Sequence, residues 1–224
     1  MDVKVHQVER GERLWSQNVH SLSPDRINHA RKIMKEVLFF SPFNPDYLQI
    51  AGRLGIWNDY AECANSSGSK VAESNNENKE TDEATCRNEA IDAYTNLFTD
   101  SQSVRPYWPY SYSDQALLLS FFLDDNAARK DAYYKSWALA FELGGNEPGV
   151  SLSLVQASLN GWDLVSWKHK AKVVGLVQQI ASKPGVEILG VLNVIEQYGM
   201  TEQFCNVLSL QEGASKFVRQ KCRL

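Results

Sequence analysis

Residues 105–123 have the sequence RPYWPYSYSDQALLLSFFL, and this stretch decides the fold class. Pro106 and Pro109 hold φ fixed and lack an amide N–H, so proline suits the first turn of a helix but not its interior. The apolar run 116–123 that follows is far shorter than the roughly 20 residues that cross a bilayer. It therefore predicts a largely buried helix, and Asp124-Asp125-Asn126 predicts the turn after it.

The same helical signals recur along the chain. Helix starts are predicted at Ser23-Pro24, Asn44-Pro45 and Glu147-Pro148, and stop signals at Ser41-Pro42 and Gly144-Gly145. Apolar residues recur at three- and four-residue steps from Ile27 to Cys205, which is the period of an α-helix. Further helices are predicted over 167–181, 184–198, 202–208 and 212–221. No alternating pattern flanked by hairpin signals predicts a strand.

The proline-marked helix starts form a loose repeat. Pro45 and Pro109 are 64 residues apart, and Pro109 and Pro148 are 39 apart. Removing a 22-residue polar insert at 64–85 reduces the first interval to 42. Two helices in roughly 40 residues are typical of an α-solenoid of helix hairpins. We therefore expect an all-α fold, a short right-handed tetratricopeptide-like solenoid over residues 23–224, after an N-terminal extension over 1–22.

The insert at 64–85 contains almost nothing that a core would bury. Such a segment cannot offset its chain entropy, so we expect a disordered, mobile loop. Its acidic residues allow a second hypothesis, in which the loop binds a cationic partner. The solvated loop is the favoured interpretation.

Composition excludes several classes of function. The chain has 224 residues and a net charge of −4, with scattered basic residues, which does not suit a nucleic-acid partner. No apolar stretch has the length of a membrane span. Residues 1–15 lack the apolar core of a secretory signal. Either the protein works in the cytoplasm, or a native leader precedes this sequence.

The four cysteines leave their pairing open. Cys63, Cys86, Cys205 and Cys222 form no Cys-x-x-Cys motif, and no histidine lies at zinc-ligand spacing from them, so no metal site is expected. Cys63 and Cys86 bracket the insert and could form a disulfide, although free thiols are favoured. Cys205 is interpreted as a small core residue, with pairing to Cys222 as the alternative.

From Arg105 onward the sequence resembles the VpsP family, which is tied to bacterial exopolysaccharide and biofilm-matrix biosynthesis. The resemblance covers about half the chain. It rests on Arg105-Pro106-Tyr107-Trp108-Pro109-Tyr110, with Asp114 and Ala116, and on Leu143-Gly144, Glu147-Pro148, Gly161-Trp162-Asp163 and Phe204-Cys205. The chain departs from the family pattern at Asn146, where an aromatic residue is usual, and in its polar insert.

This resemblance implies a place and a process. The expected partners are protein components of a polysaccharide synthesis or export machine, and the polysaccharide itself is a further candidate. The family's apolar N-terminal anchor implies a location at the inner membrane or periplasm. Residues 1–22 contain no such anchor, so the cytoplasm stays open for the chain as written.

The first candidate site is the aromatic segment at 105–112, formed by Arg105, Tyr107, Trp108, Tyr110 and Tyr112. Its rings could stack on sugars while the arginine holds an acidic sugar's carboxylate through paired N–H donors. The favoured alternative is that the aromatic residues wedge adjacent helices together, with the arginine bonded to loop carbonyls.

A second aromatic group, Trp162, Asp163 and Trp167, lies at a predicted helix junction. Packing is favoured over ligand binding, with Asp163 bracing the turn.

No enzyme or cofactor is predicted. The sequence contains no Gly-x-Ser-x-Gly motif, phosphate-binding glycine loop or dinucleotide fingerprint. His29 and His169 are interpreted as solvated, and Asp124-Asp125 as helix-capping groups. The first hypothesis is a non-catalytic scaffold that acts through protein–protein contacts. The second is a carbohydrate-binding protein that uses residues 105–112, and the third is a polysaccharide hydrolase or lyase with carboxylates brought together by the fold.

Overall fold

The computed structural model describes residues 24–55, 76–123, 127–183, 187–210 and 215–222. These ranges form ten helices and contain no strand, so the predicted all-α class is confirmed. The helices are α1 (Pro24–Phe40), α2 (45–55), α3 (Asn76–Val104), α4 (Pro109–Ser120), α5 (Ala127–Gly144), α6 (Pro148–Asn160), α7 (Trp167–Ala181), α8 (Glu187–Gln197), α9 (Thr201–Ser209) and α10 (Lys216–Cys222).

The contacts group the chain into two compact units, Met1–Pro106 and Tyr107–Leu224. The repeat pattern predicts one helical-repeat domain over residues 23–224. The break between the units falls at Pro106, which cannot continue α3. The predicted extension over 1–22 lies outside the described residues.

In the first unit, α1 and α2 pack as a hairpin around one apolar cluster. The cluster is formed by Ala30, Ile33, Met34, Val37, Ile50 and Leu54, with Tyr47 and Ala51 packed against it. The side-chain Oδ1 of Asn44 accepts hydrogen bonds from the backbone N–H groups of Asp46 (3.0 Å) and Tyr47 (3.3 Å). Asn44 therefore caps α2 as its sequence position predicts.

Helix α3 packs on α2 through two glycines. A Cβ on Gly55 would lie 1.7 Å from Cε1 of Tyr94, and one on Gly52 would lie 2.9 Å from Cζ of Phe98. The absence of side chains at these positions lets the two rings of α3 reach the backbone of α2. The hydroxyl of Ser101 also donates to the carbonyl of Pro45, at 3.1 Å.

The polar insert is shorter than predicted. Helix α3 begins at Asn76, so the expected loop is wrong for residues 76–85, while 64–75 lie outside the described residues. The reason is continuity: no glycine or proline occurs from residue 69 to residue 105. Once the apolar part of α3 forms, extending it upstream adds one hydrogen bond per residue at little cost.

In the second unit, successive helices make a regular pattern of contacts. Helix α4 packs on α5 and α6, α6 packs on α7 and α8, and α8 packs on α9 and α10. Neighbouring helices α5 and α6, α7 and α8, and α9 and α10 also touch, and α7 reaches α9. The substantial contacts therefore join each helix to the next one or two along the chain.

Helices α4 and α6 are buried on most of their surface, although both are rich in serine. Each buried serine hydroxyl donates to a carbonyl one turn earlier: Ser111 to Trp108, Ser113 to Tyr110, Ser120 to Leu117, Ser151 to Pro148 and Ser158 to Leu154. Serines satisfied within their own helix add little bulk, so neighbouring helices can pack on several sides.

Helix α5 buries one face, and Tyr134, Ala138 and Phe141 beside it are half-buried. The buried residues are Tyr133, Ser136, Trp137, Ala140 and Gly144. Ser136 is accommodated because its hydroxyl donates to Oε1 of Gln115, at 2.7 Å.

The C-terminal helices are closed by a disulfide between Cys205 of α9 and Cys222 of α10, whose Cα atoms are 5.3 Å apart. The alternative pairing weighed for Cys205 is therefore present, and its interpretation as an unpaired core residue is wrong. Gly199 follows the end of α8, with a φ of 68°. Cys63 and the side chain of Cys86 lie outside the described residues.

Candidate functional site

The start of α4 is built largely by packing. Tyr107 is exposed, whereas Trp108 is half-buried with its ring centroid 5.0 Å from that of Tyr110. Pro109 is buried against the end of α5, where a Cβ on Gly144 would lie 2.5 Å from its Cγ. These contacts fix where α4 begins relative to α5.

Tyr110 lies over the first turn of α6. A Cβ on Gly149 would approach its Cε1 to 3.0 Å. Burial raises the pKa of Tyr110, and the negative charges of Glu147 and Asp114 raise it further. Tyr112 is also half-buried. Two tyrosines of the predicted aromatic site are therefore partly withdrawn from solvent.

Arg105 belongs to the first unit and already binds a carboxylate. Its Nη1 donates to Oδ1 of Asp46 at 2.8 Å, and both side chains are about half exposed. The bond joins the end of α3 to the start of α2. The guanidinium that was predicted to bind the carboxylate of an acidic sugar thus donates to the carboxylate of Asp46.

The second predicted group lies at the corner between α6 and α7, residues 161–167, which we call the α6–α7 corner. The N–H groups of Leu164 (2.9 Å) and Val165 (3.1 Å) donate to the carbonyl of Gly161. Val165 is buried, whereas Asp163 is exposed. Leu164 is 51% exposed and Trp167 is 80% exposed. The corner therefore presents two large apolar side chains to solvent.

Trp162 forms the half-buried side of the α6–α7 corner. The Nζ of Lys170 lies 5.2 Å from the centroid of its ring, within the range of a cation–π contact. Its centroid is 5.9 Å from that of Phe204 in α9. Trp162 thus packs between α7 and α9, as the packing interpretation expects.

The α6–α7 corner rests on a polar clamp. The backbone N–H of Ser166 donates to Oη of Tyr134 at 2.9 Å. The hydroxyl oxygen of Ser166 accepts from the N–H of His169 at 3.3 Å and caps α7. Trp167 therefore begins a helix that is fixed at both the cap and the preceding turn.

Beneath this clamp lies a buried hydrogen-bonded cluster of Tyr133, Trp137, Ser158 and His169. Nε2 of His169 is 3.0 Å from Oη of Tyr133 and 3.2 Å from Oγ of Ser158. Nε1 of Trp137 donates to Oγ of Ser158 at 3.0 Å. The hydroxyl of Ser158 in turn donates to the carbonyl of Leu154 at 2.7 Å. The cluster joins α5, α6 and α7.

His169 is enclosed by aromatic rings and is buried, so its interpretation as a solvated residue is wrong. The centroid of its ring lies 4.6 Å from that of Trp137 and 5.2 Å from that of Tyr134. Burial, together with the smaller effect of the positive charge of Lys172, lowers the pKa of His169 to about 4. The imidazole is therefore neutral at neutral pH. His29 is exposed, as expected.

One signal in the sequence could have identified His169. It lies four residues before Val173, and Leu176, Val177 and Ile180 continue the same stripe at helical spacing. All four of those residues are buried. The basic neighbours Lys168 and Lys170 favoured the solvated interpretation, but they lie on other faces of the helix.

The Ser158–His169 pair has the hydrogen-bonded geometry of a nucleophile and a base. Its surroundings oppose that role. Ser158 and Tyr133 have no exposed surface, and the one hydroxyl proton of Ser158 is directed to the carbonyl of Leu154. In this conformation a substrate cannot reach the serine oxygen, so the arrangement suits structural support for the α6–α7 corner.

We expect the buried imidazole to make the second unit acid-sensitive. Because the folded pKa of His169 lies below its ordinary value of 6.5, the unfolded chain binds a proton that the folded chain excludes. The stability that depends on neutral His169 is complete above about pH 6.5 and is lost as the pH falls toward 4. Relative to His169→Gln, the wild type should lose up to about 2 kcal/mol of unfolding free energy between about pH 7 and pH 5.

Urea unfolding followed by circular dichroism at several pH values measures that difference. His29→Gln, a change at an exposed position of α1, is the matched control. A constant gap between the wild type and His169→Gln across this pH range would contradict the buried, neutral imidazole.

No helix among the described residues has the length and apolar character to cross a membrane. Within the same residues, no group of three or more histidine, cysteine, aspartate or glutamate side chains is placed to hold a metal ion. No protein-family model, curated protein or solved structure matches the chain.

Proposed function

We propose that this protein is a non-catalytic helical scaffold that binds a protein partner through the α6–α7 corner. The observation that carries the proposal is the exposure of Trp167 and Leu164 on a corner fixed from beneath by Ser166, Tyr134 and His169. Tryptophan is among the residues that most often dominate binding energy at protein interfaces. A rigid support lowers the entropy lost when such a residue is buried by a partner.

The pattern of helix contacts supports a solenoid arrangement for this scaffold. In an α-solenoid each repeat touches its neighbours in sequence, which agrees with contacts that reach one or two helices along the chain. Stacked helix pairs give extended surfaces for partner proteins. The corners between helices then lie one after another along the edge of the stack, where exposed side chains such as Trp167 can contact a partner.

The proposed process is bacterial exopolysaccharide biosynthesis or export. It rests on the resemblance of residues 105–205 to the VpsP family. The Cys205–Cys222 disulfide supports a location in an oxidising compartment, such as the space outside the inner membrane. The partner would then be a protein component of the synthesis or export machine.

A comparison of affinity captures from the cell of origin tests this proposal. The full chain would be captured as wild type, as Trp167→Ala and as Leu210→Ala, an exposed apolar residue after α9. We expect Trp167→Ala to reduce recovery of the protein component of the synthesis or export machine at least about tenfold. Leu210→Ala should leave its recovery unchanged. Recovery of no such component, with normal matrix in a deletion strain, would contradict the proposal.

The alternative function is carbohydrate binding by residues 105–112. The exposed ring of Tyr107 favours it, since a sugar could stack there without displacing any packed residue. Titration with polymer fragments, followed by tryptophan fluorescence, should shift the emission of the nearby Trp108 in this case. An unchanged spectrum, together with equal polymer retention by Tyr107→Ala and the wild type, would remove this alternative.

A further inference from the structure

The first unit exposes three phenylalanines within five residues at the turn between α1 and α2. Phe39 is 81% exposed, Phe40 is 70% exposed and Phe43 is 78% exposed. The rings of Phe39 and Phe40 meet edge to face, with centroids 5.3 Å apart. We call residues 39–43 the phenylalanine corner. Phenylalanine has no polar group that would favour water, so three such exposed rings indicate a surface that another phase or molecule covers.

The charges beside the phenylalanine corner indicate which surface that is. Lys32 and Lys35 are exposed and precede Phe39 by seven and four residues, so all three lie on one stripe of α1. The opposite stripe is buried and contains Ala30, Met34 and Val37. Solvent therefore meets a stripe of α1 on which two lysines precede an aromatic residue, with Glu36 exposed beside it.

This positive charge is local to α1. The helix carries Arg26, Arg31, Lys32 and Lys35 against Asp25 and Glu36, a net of +2, whereas the whole chain has a net charge of −4. At the other side of the corner, the carboxylate of Asp46 is paired with Arg105 at 2.8 Å. The only acidic residue of α2 is thus paired, so the net positive charge of α1, with Glu36 counted, is the main charge beside the corner.

We propose that the phenylalanine corner inserts into the surface of an anionic lipid bilayer, with Lys32 and Lys35 against the headgroups. Aromatic and aliphatic side chains beside a lysine-rich face are typical of segments that bind in the headgroup region without crossing the membrane. Lysine is depleted in the core of protein interfaces, which disfavours a protein partner for this stripe. The inference concerns the first unit and is independent of the partner proposed for the α6–α7 corner.

Co-sedimentation of the full chain with vesicles tests the proposal. One set of vesicles is phosphatidylcholine, and the other has equal parts of phosphatidylcholine and phosphatidylglycerol. We expect binding to the anionic vesicles, weakened by high salt, and much weaker binding to the neutral ones. Replacing both lysines (Lys32→Ala with Lys35→Ala) should lower the partition constant about fivefold for each lysine. The triple change Phe39→Ser, Phe40→Ser and Phe43→Ser should lower it at least about tenfold.

Matched variants separate this surface from general effects. Lys135→Ala with Lys172→Ala removes two exposed lysines of the second unit, and Leu210→Ser removes an exposed apolar residue. Both should bind as the wild type does, and circular dichroism should show every variant folded.

Absence of wild-type binding to the anionic vesicles would overturn the proposal, and so would full binding by the triple phenylalanine variant. Equal binding to both kinds of vesicle would also overturn it. Sedimentation velocity measures self-association of the same variants. If the triple change abolishes self-association and leaves vesicle binding intact, the corner binds a second copy of the chain.

Discussion

Replacing Trp137 by alanine is expected to lower the free energy of unfolding of the second unit by about 3–5 kcal/mol, the usual range for a buried tryptophan. The side chain is 1% exposed. It stacks on Phe141 with ring centroids 5.3 Å apart and meets His169 edge to face. Its Nε1 also donates to Oγ of Ser158 and to the carbonyl of Leu154. Alanine would leave a cavity and remove the donor that both acceptors share.

Trp167→Ala supplies the matched control, because it deletes the same atoms from an exposed position. Its effect on stability should stay within about 0.5 kcal/mol. Urea unfolding followed by far-ultraviolet circular dichroism measures both variants without relying on tryptophan emission. Equal losses for the two would contradict the placement of Trp137 in the core, since the transfer of apolar surface from water distinguishes them.

Breaking the Cys205–Cys222 disulfide is expected to cost about 3 kcal/mol, from the loop entropy that the cross-link removes from the unfolded chain. The two cysteines are 17 residues apart. Among the described residues, Val218 is the one fully buried side chain of α10, and Lys221 forms an exposed ion pair with Glu196. An exposed pair contributes little to stability, so we expect α10 to depend strongly on the covalent bond.

Single and double variants test this expectation. Cys205→Ser, Cys222→Ser and the double change should each lose nearly the same free energy of unfolding under oxidising conditions, because either single change removes the whole bond. The remaining thiol of each single variant is blocked to prevent exchange. Additive losses would show that the two residues act independently. A loss below about 1 kcal/mol for the double variant would show that the cross-link contributes little to stability.

Local signals in the sequence were sufficient to place most helices. Proline fixes φ and suits the first turn, so Pro24, Pro45, Pro109 and Pro148 each begin a helix in the structure. Gly199 ends α8 because its backbone adopts a positive φ that other residues rarely tolerate. These features depend on neighbours in sequence, which is why they could be predicted.

Features that depend on distant contacts were not predicted. The burial of His169 requires the rings of Tyr133, Tyr134 and Trp137 from another helix. The flanking lysines favoured a solvated position, so the local pattern did not predict this burial. The helical state of residues 76–85 depends on propagation from the apolar part of α3. Serine positions such as Ser151 and Ser158 gave no apolar signal, although their hydroxyls are satisfied within the helix and can be buried.

The candidate site was predicted in part. The aromatic group at 161–167 was identified, but the sequence could not show that Trp162 is covered by Lys170 and Phe204 while Trp167 is exposed. Which face of a helix start meets solvent depends on where later helices pack. For the same reason, the pairing of Arg105 with Asp46, 59 residues away, was not visible in the local pattern.

The contacts between each helix and the next one or two have a consequence for how the second unit is made. Partners that are close in sequence meet early, and chains with such local topology fold rapidly. During translation, α4, α5 and α6 can pack together as soon as all three have left the ribosome. Each later helix then packs on helices that have already folded. Cys222 lies in the last of these helices. Oxidation with Cys205 therefore comes after α4 to α9 have been synthesised, and it links α10 to helices that have already packed together.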